Sequence, residues 1–449
     1  KVIVIGSGLS SLGAIKSLVE RGVKPIVLDI GLIPQSKYGI KKNLRDDVLI
    51  KKKKPKLQMS SEKGGYSNAW GGNVLCPPES EFINWHKDTI PTSLHYKKCT
   101  EGIFYTAKDD GLSPLFKHPH PKFKEPPEDQ SAEYILNKFN KIRSNKNFKW
   151  SIGRSRQFID YENNSIYSVK TEIEILEKNK KITYIPGSFV KNITENKSKV
   201  FIEYLSNGKK STLEGTSLFI GAGAVNTTKL LAKLCKIYDK KLYLRYVDST
   251  VFPFFTFMNI PYDKSKTQSS IFFELKDFKK SKTISHIQIS RPNEIILNML
   301  KYKRLPSFLK KFVYYILGHS YIALINNHSE ICGFYEIILK KNDDFLTINV
   351  PKTDNQKRIL KNVSKILNSI GAFNLSCINK NFDSHFYIGG SFPMKKHPKV
   401  STDTDILGRP FGFKRIYAVD SSVFPSIPSS NIGLISMANA FRIAKLAKL

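Results

Sequence analysis

The sequence predicts an α/β protein in which a doubly wound parallel-sheet domain is joined to an α+β domain built on an antiparallel sheet. The chain opens with an apolar run, a glycine turn and an amphipathic pattern, and residues 217–234 repeat this order. Runs of alternating polarity fill residues 242–350. Strands that are apolar throughout are typical of parallel sheets covered by helices, whereas alternating strands are typical of antiparallel sheets. The two patterns therefore indicate two domains.

The first unit of the chain has the order strand, helix, strand. Residues 2–5 (VIVI) are entirely apolar and predict a buried strand. From Leu9 to Arg21 the apolar residues recur at helical spacing, and residues 25–29 (PIVLD) predict a second buried strand. This order is the βαβ unit of a Rossmann-like domain.

The turn of this unit carries a dinucleotide-binding pattern. In GSGLSS, Gly6 permits a tight turn and Gly8 lets the backbone approach a pyrophosphate at the helix N-terminus. Ser11 stands where a third glycine is usual and is small enough for close packing of helix and strand. Asp29 ends the second strand, 21 residues after Gly8, where a carboxylate would bind a ribose hydroxyl. Together these residues predict a dinucleotide site.

Three later segments return to this first domain. Residues 64–78 form a loop rich in small residues, and residues 217–234 give a second strand, glycine turn and helix. The last fifty residues run strand, turn and helix. The first domain is therefore predicted to comprise residues 1–75, 172–235 and 396–449.

The second domain is predicted to comprise residues 76–171 and 236–395. Residues 79–170 show short helical patterns around a Pro/His connector, whereas residues 171–220 become strand-like, with a hairpin about Asn207 and Gly208. Strands are predicted at IFFEL, HIQIS, YEIIL and FLTINV, and a lysine-rich helix at about residues 354–369.

The composition is that of a globular protein. The chain has 449 residues, of which 41% are hydrophobic and 12% aromatic. Its five cysteines are scattered without a C-x-x-C pair, which disfavours a disulfide framework or a structural metal. No export signal precedes the first strand, and the longest apolar stretch, Phe312 to Asn326, is too short to span a membrane. We expect a cytoplasmic protein without a metal.

The net charge of +34 has two explanations. The excess comes from 60 lysines against 12 arginines, which is typical of an AT-rich genome. Runs such as Lys51–Lys54 lack the interleaved aromatic and arginine side chains that nucleic-acid binding uses, so we expect no nucleic-acid partner. The other explanation is a peripheral contact with the inner face of an anionic membrane, or a polyanionic substrate.

Four segments resemble the glucose-methanol-choline family of FAD-dependent oxidoreductases. They are GSGLSS at the N-terminus, residues 64–85, FIGAGAVNTTKLL at residues 219–231, and residues 418–447. The resemblance covers the first domain well and the second hardly at all. It implies an FAD enzyme that oxidises the CH-OH group of a small-molecule alcohol or saccharide.

The resemblance also implies how FAD lies. The pyrophosphate would contact Gly6 and Gly8, the ribose Asp29, the adenine Val190, and the isoalloxazine the loop of residues 68–73. The full set that it assigns to the cofactor is Gly6, Gly8, Leu9, Ser10, Ser11, Asp29, Trp70, Gly71, Gly72, Asn73, Val190, Gly221, Ala222, Gly223, Asp420, Ser421, Asn431 and Ile432.

The attachment of FAD is predicted to be non-covalent. Some relatives bind the flavin through a histidine in this loop. Here Ala69 precedes Trp70, and no histidine occurs between Gly64 and Pro78.

Alcohol oxidation also needs a group that accepts the hydroxyl proton. Residues 384–394 (SHFYIGGSFPM) resemble the family's histidine element, and Asn431 resembles its partner. Counting back from Gly390 places Tyr387 at the histidine position and His385 two residues earlier. Three interpretations stay open: His385 as acceptor with Tyr387 as its hydrogen-bond partner, Tyr387 in a direct substrate role, or altered chemistry.

The remaining histidines lack a motif and are predicted to be structural: His86, His95, His118, His120, His286, His319, His328 and His397. The lysine-rich second domain and the aromatic stretch Phe308–Tyr321 favour a saccharide linked to a lipid or anionic carrier. Two rival functions remain. One is a flavin-bound protein with little turnover that binds a membrane surface or polyanion, and the other is a redox-neutral flavin epimerase.

Overall fold

Parallel and antiparallel sheets both occur in the protein, as the sequence predicts. The computed structural model describes residues 1–32, 57, 59–142, 148–206, 208–262, 268–277, 283–292, 306–342, 345–350, 355–375, 380–381 and 385–449. Asn207 of the predicted hairpin, the lysine run Lys51–Lys54 and Cys377 lie outside these residues. Within them, no helix is long and apolar enough to cross a membrane.

The parallel sheet is built from short apolar strands. Val2–Ile5 is buried at every position, as expected for a central strand with a helix on either face. In the described residues the sheet runs β21-β10-β1-β2-β6. The strands are β1 (Val2–Ile5), β2 (Ile26–Leu28), β6 (Thr183–Ile185), β10 (Ser217–Ile220) and β21 (Ile416–Ala418).

Three helices that follow this sheet's strands begin at the carboxyl edge. They are α1 (Leu9–Glu20), α5 (Ala224–Leu234) and the C-terminal helix α8 (Ile432–Leu446). Helices α1 and α8 cross closely at Gly13, where an added Cβ would lie 2.0 Å from the Met437 carbonyl oxygen. The last helix thereby packs against the first, although more than 400 residues separate them.

One stretch predicted to be strand-like begins as a helix. Residues 171–178 belong to α4 (Val169–Lys178). The Ser168 hydroxyl accepts a hydrogen bond from the Lys170 amide at 3.2 Å and so caps the helix. Val169 and Ile173, four residues apart, are the buried positions, which is helical rather than strand periodicity. The strands that follow are β7 (Ser188–Glu195), β8 (Val200–Ser206) and β9 (Lys209–Gly215), and they form the predicted hairpin region.

The described residues also form a large antiparallel sheet. Its strands are β3 (Phe148–Arg154), β12 (Ser249–Thr256), β13 (Ile271–Asp277), β14 (Ile284–Ser290), β15 (Ser320–Asn327), β18 (Ala372–Phe373) and β19 (Lys380–Asn381). Their order is β18-β12-β15-β14-β13-β3, with β19 also paired to β12. Strand β3 lies in a region for which the sequence predicted short helices, although its pattern, FKWSIGR, places apolar residues at alternate positions, as a half-buried strand does.

The two faces of this sheet differ. On one face, side chains such as Phe273, Ile287 and Ile325 form a core with helices α3 (Gln130–Asn140) and α7 (Asn355–Ser369). The other face carries polar side chains at directly opposed positions, since Glu274 pairs with His286 and His286 with Asn326. Directly opposed residues share a face, so these polar groups lie side by side.

A second antiparallel sheet has the order β17-β16-β11-β20. Its strands are β11 (Lys241–Tyr246), β16 (Phe334–Leu339), β17 (Phe345–Val350) and β20 (Ile388–Gly389). The remaining described elements are β4 (Ile159–Asp160), β5 (Ser165–Ile166), α2 (Ser93–Thr100) and α6 (Ser307–His319).

The contact at Gly13 makes a stability prediction. We expect Gly13→Ala to lower the free energy of unfolding by about 2 kcal/mol, because the backbone at Met437 must move to admit the methyl group. Denaturant unfolding of the ligand-free protein measures this change, because a bound ligand would add its own contribution to the stability.

Gly8→Ala is the matched control. An added Cβ there meets no protein atom within 4 Å, and the φ of −75° suits alanine. The expected change is within about 1 kcal/mol, the range for replacing a glycine N-cap. Equal losses in the two variants would contradict the close crossing of α1 and α8.

Candidate functional site

The glycine turn after β1 leaves an open helix N-terminus. Gly8 is the N-cap of α1 and supplies no side chain to its first-turn amides. These amides are therefore available to an external acceptor. Space beside Gly8 is open, since a Cβ there would meet no protein atom within 4 Å. An uncapped helix N-terminus with open space suits a phosphate group.

Asp29 lies beside this turn, at the end of β2. Its Oδ2 accepts hydrogen bonds from the Ser7 hydroxyl and, at 2.9 Å, from the Tyr184 hydroxyl. Ser7 also accepts a bond from the Gly64 amide at 2.9 Å, so the small-residue loop is attached here. Desolvation raises the pKa of Asp29 to about 6. Asp29 therefore holds the turn in place through Ser7 and Tyr184. The sequence did not indicate a role for either of these two partners.

Ser11 connects the two glycine turns. Its hydroxyl donates to the Gly221 carbonyl at 3.0 Å, and an added Cβ at Gly221 would collide with that hydroxyl. Beyond Gly221, the turn continues through Ala222 to Gly223, where a Cβ would again meet nothing within 4 Å. Ser11 therefore fits where a third glycine is usual and also joins the two glycine turns by a hydrogen bond.

Asp420 and Ser421 follow β21 at the same edge of the sheet. Asp420 accepts hydrogen bonds from the Thr227 hydroxyl at 2.5 Å and the Ser422 amide at 3.0 Å. Burial raises its pKa. The Ser421 hydroxyl donates to the Ile388 carbonyl at 2.7 Å. These two residues hold the second glycine turn and strand β20 to the parallel sheet.

Three segments distant in sequence converge near Trp70. The indole of Trp70 donates to the Tyr167 carbonyl at 2.8 Å. A Cβ at Gly433 would lie 3.3 Å from the Trp70 ring and 3.0 Å from the Leu9 side chain. The N-termini of α1 and α8 and the small-residue loop therefore meet. Open space at Gly8 and Gly223, an uncapped α1 and small residues at the meeting point fit a dinucleotide.

Asn431 precedes α8 and forms the centre of a buried polar cluster. Its side chain does not cap the helix. Instead, its Nδ2 donates to the Tyr387 hydroxyl at 2.5 Å. Its Oδ1 lies 3.2 Å from His286 Nε2 and 3.4 Å from Gln288 Nε2. Asn431 and Tyr387, both singled out from the sequence, are thus in contact with each other.

His286 is paired with a buried carboxylate. Its Nδ1 lies 2.6 Å from Glu274 Oε1, and the two side chains are 0% and 1% exposed. Glu274 Oε2 has no hydrogen-bond partner in the described part of the chain. Burial raises the pKa of Glu274, and the charge of Glu81 adds to this effect. The two side chains therefore form a buried contact between a carboxyl group and an imidazole.

A row of amides extends the cluster to the small-residue loop. Gln288 Oε1 accepts from Asn73 Nδ2 at 2.6 Å, and Asn73 Oδ1 accepts from Gln157 Nε2 at 2.8 Å. Gly72 is held in the same stretch, because its carbonyl accepts from the Phe158 amide at 2.8 Å. Asn73, assigned to the cofactor from the sequence, therefore contacts the antiparallel sheet.

Tyr387 is a neutral hydroxyl at pH 7. Desolvation raises its pKa above the usual value of about 10, and hydrogen bonds with Asn431 and Gln288 offset part of that effect. Since its oxygen accepts the Asn431 amide, its hydroxyl can donate its proton to another oxygen.

His385 has a different environment from the one expected. Its Nδ1 lies 2.5 Å from the Tyr335 hydroxyl, its Nε2 lies 3.3 Å from Asp248, and its ring stacks on Tyr246. Neither Tyr387 nor Asn431 is among these described contacts. The chain bends just before β20, so His385 and Tyr387 do not reach the same site, as two residues on one side of an extended strand would.

Glu81 fixes the spacing between the two halves of the cluster. Its Oε1 accepts from the Ile284 amide at 3.0 Å, and its Oε2 accepts from the Ser429 amide at 3.0 Å and hydroxyl at 2.8 Å. Ile284 stands two residues before His286, and Ser429 stands two residues before Asn431. One fully buried carboxylate therefore connects the strand of His286 to the segment of Asn431.

The sequence predicted a structural role for His286 and gave Glu274 and Gln288 no role. Their only signal was polarity at alternate positions of IFFEL and HIQIS, which equally describes a solvent-facing side of a sheet.

Two further residues that the sequence assigned to the cofactor have these positions: Val190 lies half-buried on β7, and Ile432 is the first residue of α8.

Comparison with known proteins supports the fold. No family model matches the sequence, and no curated protein matches it. Among solved structures, the chain is similar to the crystal structure of pyridoxine 4-oxidase from Mesorbium loti, with a TM-score of 0.68. The similarity covers 99% of this chain and 98% of that chain, at 12% sequence identity. The protein therefore has the fold of that oxidase over its whole described length.

Proposed function

We propose that the protein is an FAD-dependent oxidoreductase that oxidises the CH-OH group of an alcohol or saccharide. One observation carries the proposal: the Asn431 amide, the Tyr387 hydroxyl and the Glu274-His286 pair form one buried cluster at the N-terminus of α8. A hydroxyl substrate needs such a combination of hydrogen-bond donors and a base. The similarity in fold to an enzyme named pyridoxine 4-oxidase supports the same class of reaction.

The cofactor would be held without a covalent bond. The α1 N-terminus at Gly8 and the turn at Gly223 offer space and backbone amides for the pyrophosphate. Asp29 would meet the ribose, and Trp70 and Asn73 the flavin ring. FAD supplies the acceptor for the hydride that leaves the carbinol carbon.

His286 is proposed as the proton acceptor. When the pair holds two protons, Nδ1 shares one with Glu274, and Nε2 donates the other to Asn431 Oδ1. In the neutral imidazole with its proton on Nδ1, facing Glu274, Nε2 carries a lone pair. A substrate hydroxyl that takes the place of Asn431 Oδ1 beside Nε2 gives its proton to this lone pair, and Glu274 stabilises the resulting imidazolium.

Asn431 and Tyr387 orient the substrate. The Tyr387 proton is directed to the substrate oxygen, while the Asn431 amide holds the phenol in place. The amide row of Gln288 and Asn73 keeps this arrangement rigid. His385 is the alternative proton acceptor, but its ring nitrogens contact Tyr335 and Asp248.

The cofactor is tested by the visible spectrum of the purified protein before and after acid precipitation. We expect a two-band flavin spectrum whose chromophore stays in the supernatant. An anaerobic panel of alcohols and sugars should then contain a compound that bleaches the flavin. A colourless protein that FAD does not reconstitute would overturn the proposal, and a flavin retained in the pellet would overturn non-covalent binding.

Gly8→Ala should weaken FAD binding without unfolding the protein. A methyl group enters space that no protein atom occupies, so only the ligand is displaced. We expect an increase in the FAD dissociation constant of about tenfold or more, which corresponds to about 1.4 kcal/mol. Flavin fluorescence titration of the apoprotein measures it, with denaturant unfolding as the control for folding.

The proton acceptor is identified by comparing His286→Gln with His385→Gln. We expect His286→Gln to slow anaerobic flavin reduction by about 100-fold or more, because the proton acceptor is gone. His385→Gln should keep the rate. Both variants must retain the flavin spectrum. The reverse result would assign the acceptor to His385.

A further inference from the structure

Helix α6 exposes the side that a helix ordinarily buries. Its buried residues are Leu317 and Gly318, at the C-terminal end. Phe308, Phe312 and Tyr315 are 68%, 60% and 59% exposed, and with Ile316 they recur at the spacing of one helical face.

This face continues onto neighbouring parts of the second domain. The loop after β12 carries Phe257, which is 80% exposed, together with the exposed Met258. The loop is attached to α6, because the Ile260 amide donates to the Gly318 carbonyl at 3.0 Å. The Phe257 ring lies 5.8 Å from that of Phe373 in β18. We call the exposed set the tip patch: Phe257, Met258, Phe308, Phe312, Tyr315, Ile316, Phe373 and Leu375.

The charged residues on the described helix of the tip patch have one sign. Helix α6, SFLKKFVYYILGH, contains Lys310 and Lys311 and no acidic residue. Helix α7, which leads into β18, also contains no acidic residue, but it packs on the other face of the sheet and exposes Lys357, Lys361 and Lys365 there.

Aromatic side chains and lysines on a helix that carries no carboxylate match an anionic lipid surface. Phenylalanine and tyrosine enter the region between headgroups and acyl chains, and lysines bind the anionic headgroups. Eight exposed apolar residues on α6, the loop after β12 and the segment 373–375 are also more than scattered surface positions provide.

The same sheet connects the tip patch to the polar cluster. Leu324 is directly opposite Gln288 on one side and Val251 on the other, so the three share a face. The half-buried Ile322 and Phe255 follow on this face toward β18, where the Phe255 ring stacks on Phe373. An apolar row therefore runs from the tip patch to the residues that contact Asn431.

We propose that the tip patch docks the protein on an anionic lipid bilayer, with α6 lying in the plane of the interface. The apolar row then favours an amphiphilic alcohol, whose hydroxyl reaches the polar cluster while its apolar part lies along the row. The choice of substrate rests on the proposed oxidoreductase function, whereas the docking does not.

Vesicle co-sedimentation of the full-length protein tests the docking independently of turnover. We expect binding to vesicles of phosphatidylglycerol and phosphatidylcholine, and little binding to phosphatidylcholine alone. The triple variant F257S/F308S/F312S should reduce the partition coefficient about tenfold or more, although the net charge is unchanged. The pair F201S/F411S removes exposed phenylalanines outside the tip patch and should bind like the wild type.

Charge reversal separates a local contact from the effect of the overall charge. We expect K310E/K311E to reduce binding about tenfold or more, since lysines near the surface bind the anionic headgroups. The control K209E/K210E makes the same charge change on the exposed β9 and should reduce it less. Equal losses in the two pairs would overturn the proposal, because binding would then follow net charge alone.

Two further outcomes would also overturn the docking. In the first, the wild type does not bind anionic vesicles. In the second, the wild type self-associates without binding vesicles, and F257S/F308S/F312S converts it to a monomer. Thermal unfolding shows whether each variant is folded. If vesicles bind but no alcohol bleaches the flavin, the docking stands and the oxidoreductase function fails.

Discussion

The buried carboxylate of Glu81 determines whether the candidate site exists. It receives hydrogen bonds from the backbone at Ile284 and Ser429, and so sets the distance between His286 and Asn431. A buried charge costs free energy unless it is well bonded, and here two amides and a hydroxyl provide the bonds. Because Ile284 lies on the antiparallel sheet and Ser429 lies just before α8, Glu81 holds the sheet and the start of this helix at a fixed distance from each other.

The polar face of the antiparallel sheet follows from this arrangement. A sheet buried on both sides is usually apolar on both, but Glu274, His286 and Gln288 occupy a covered face. Their burial is tolerated because each contacts another polar group, in a chain that runs from Glu274 to Asn431 and back to Asn73. Such a network is rigid, and rigidity is what a proton acceptor and its substrate need.

The opposite end of the same sheet is exposed and apolar. Strand β15 begins beside α6 and ends at Asn327, next to the polar cluster, so a single strand joins the two regions. Lys310 and Lys311 lie on the helix of the aromatic end, while carboxylates such as Glu81 and Glu274 lie deep inside. The high positive charge is therefore placed on the outside, where it contributes to solubility and to surface contacts.

Local sequence determined the parallel-sheet domain and its glycine turns, because strands such as Val2–Ile5, the turn at Gly6 and the spacing to Asp29 depend on near neighbours. It also singled out Tyr387 and Asn431, whose segments carry a recognisable pattern. It did not distinguish His286 from the other histidines or predict the contacts of His385. Those depend on which face of a sheet is covered and on a bend before β20. Only the packing of distant segments decides burial and side-chain partners, so only the tertiary structure assembled the Glu274-His286-Asn431 cluster.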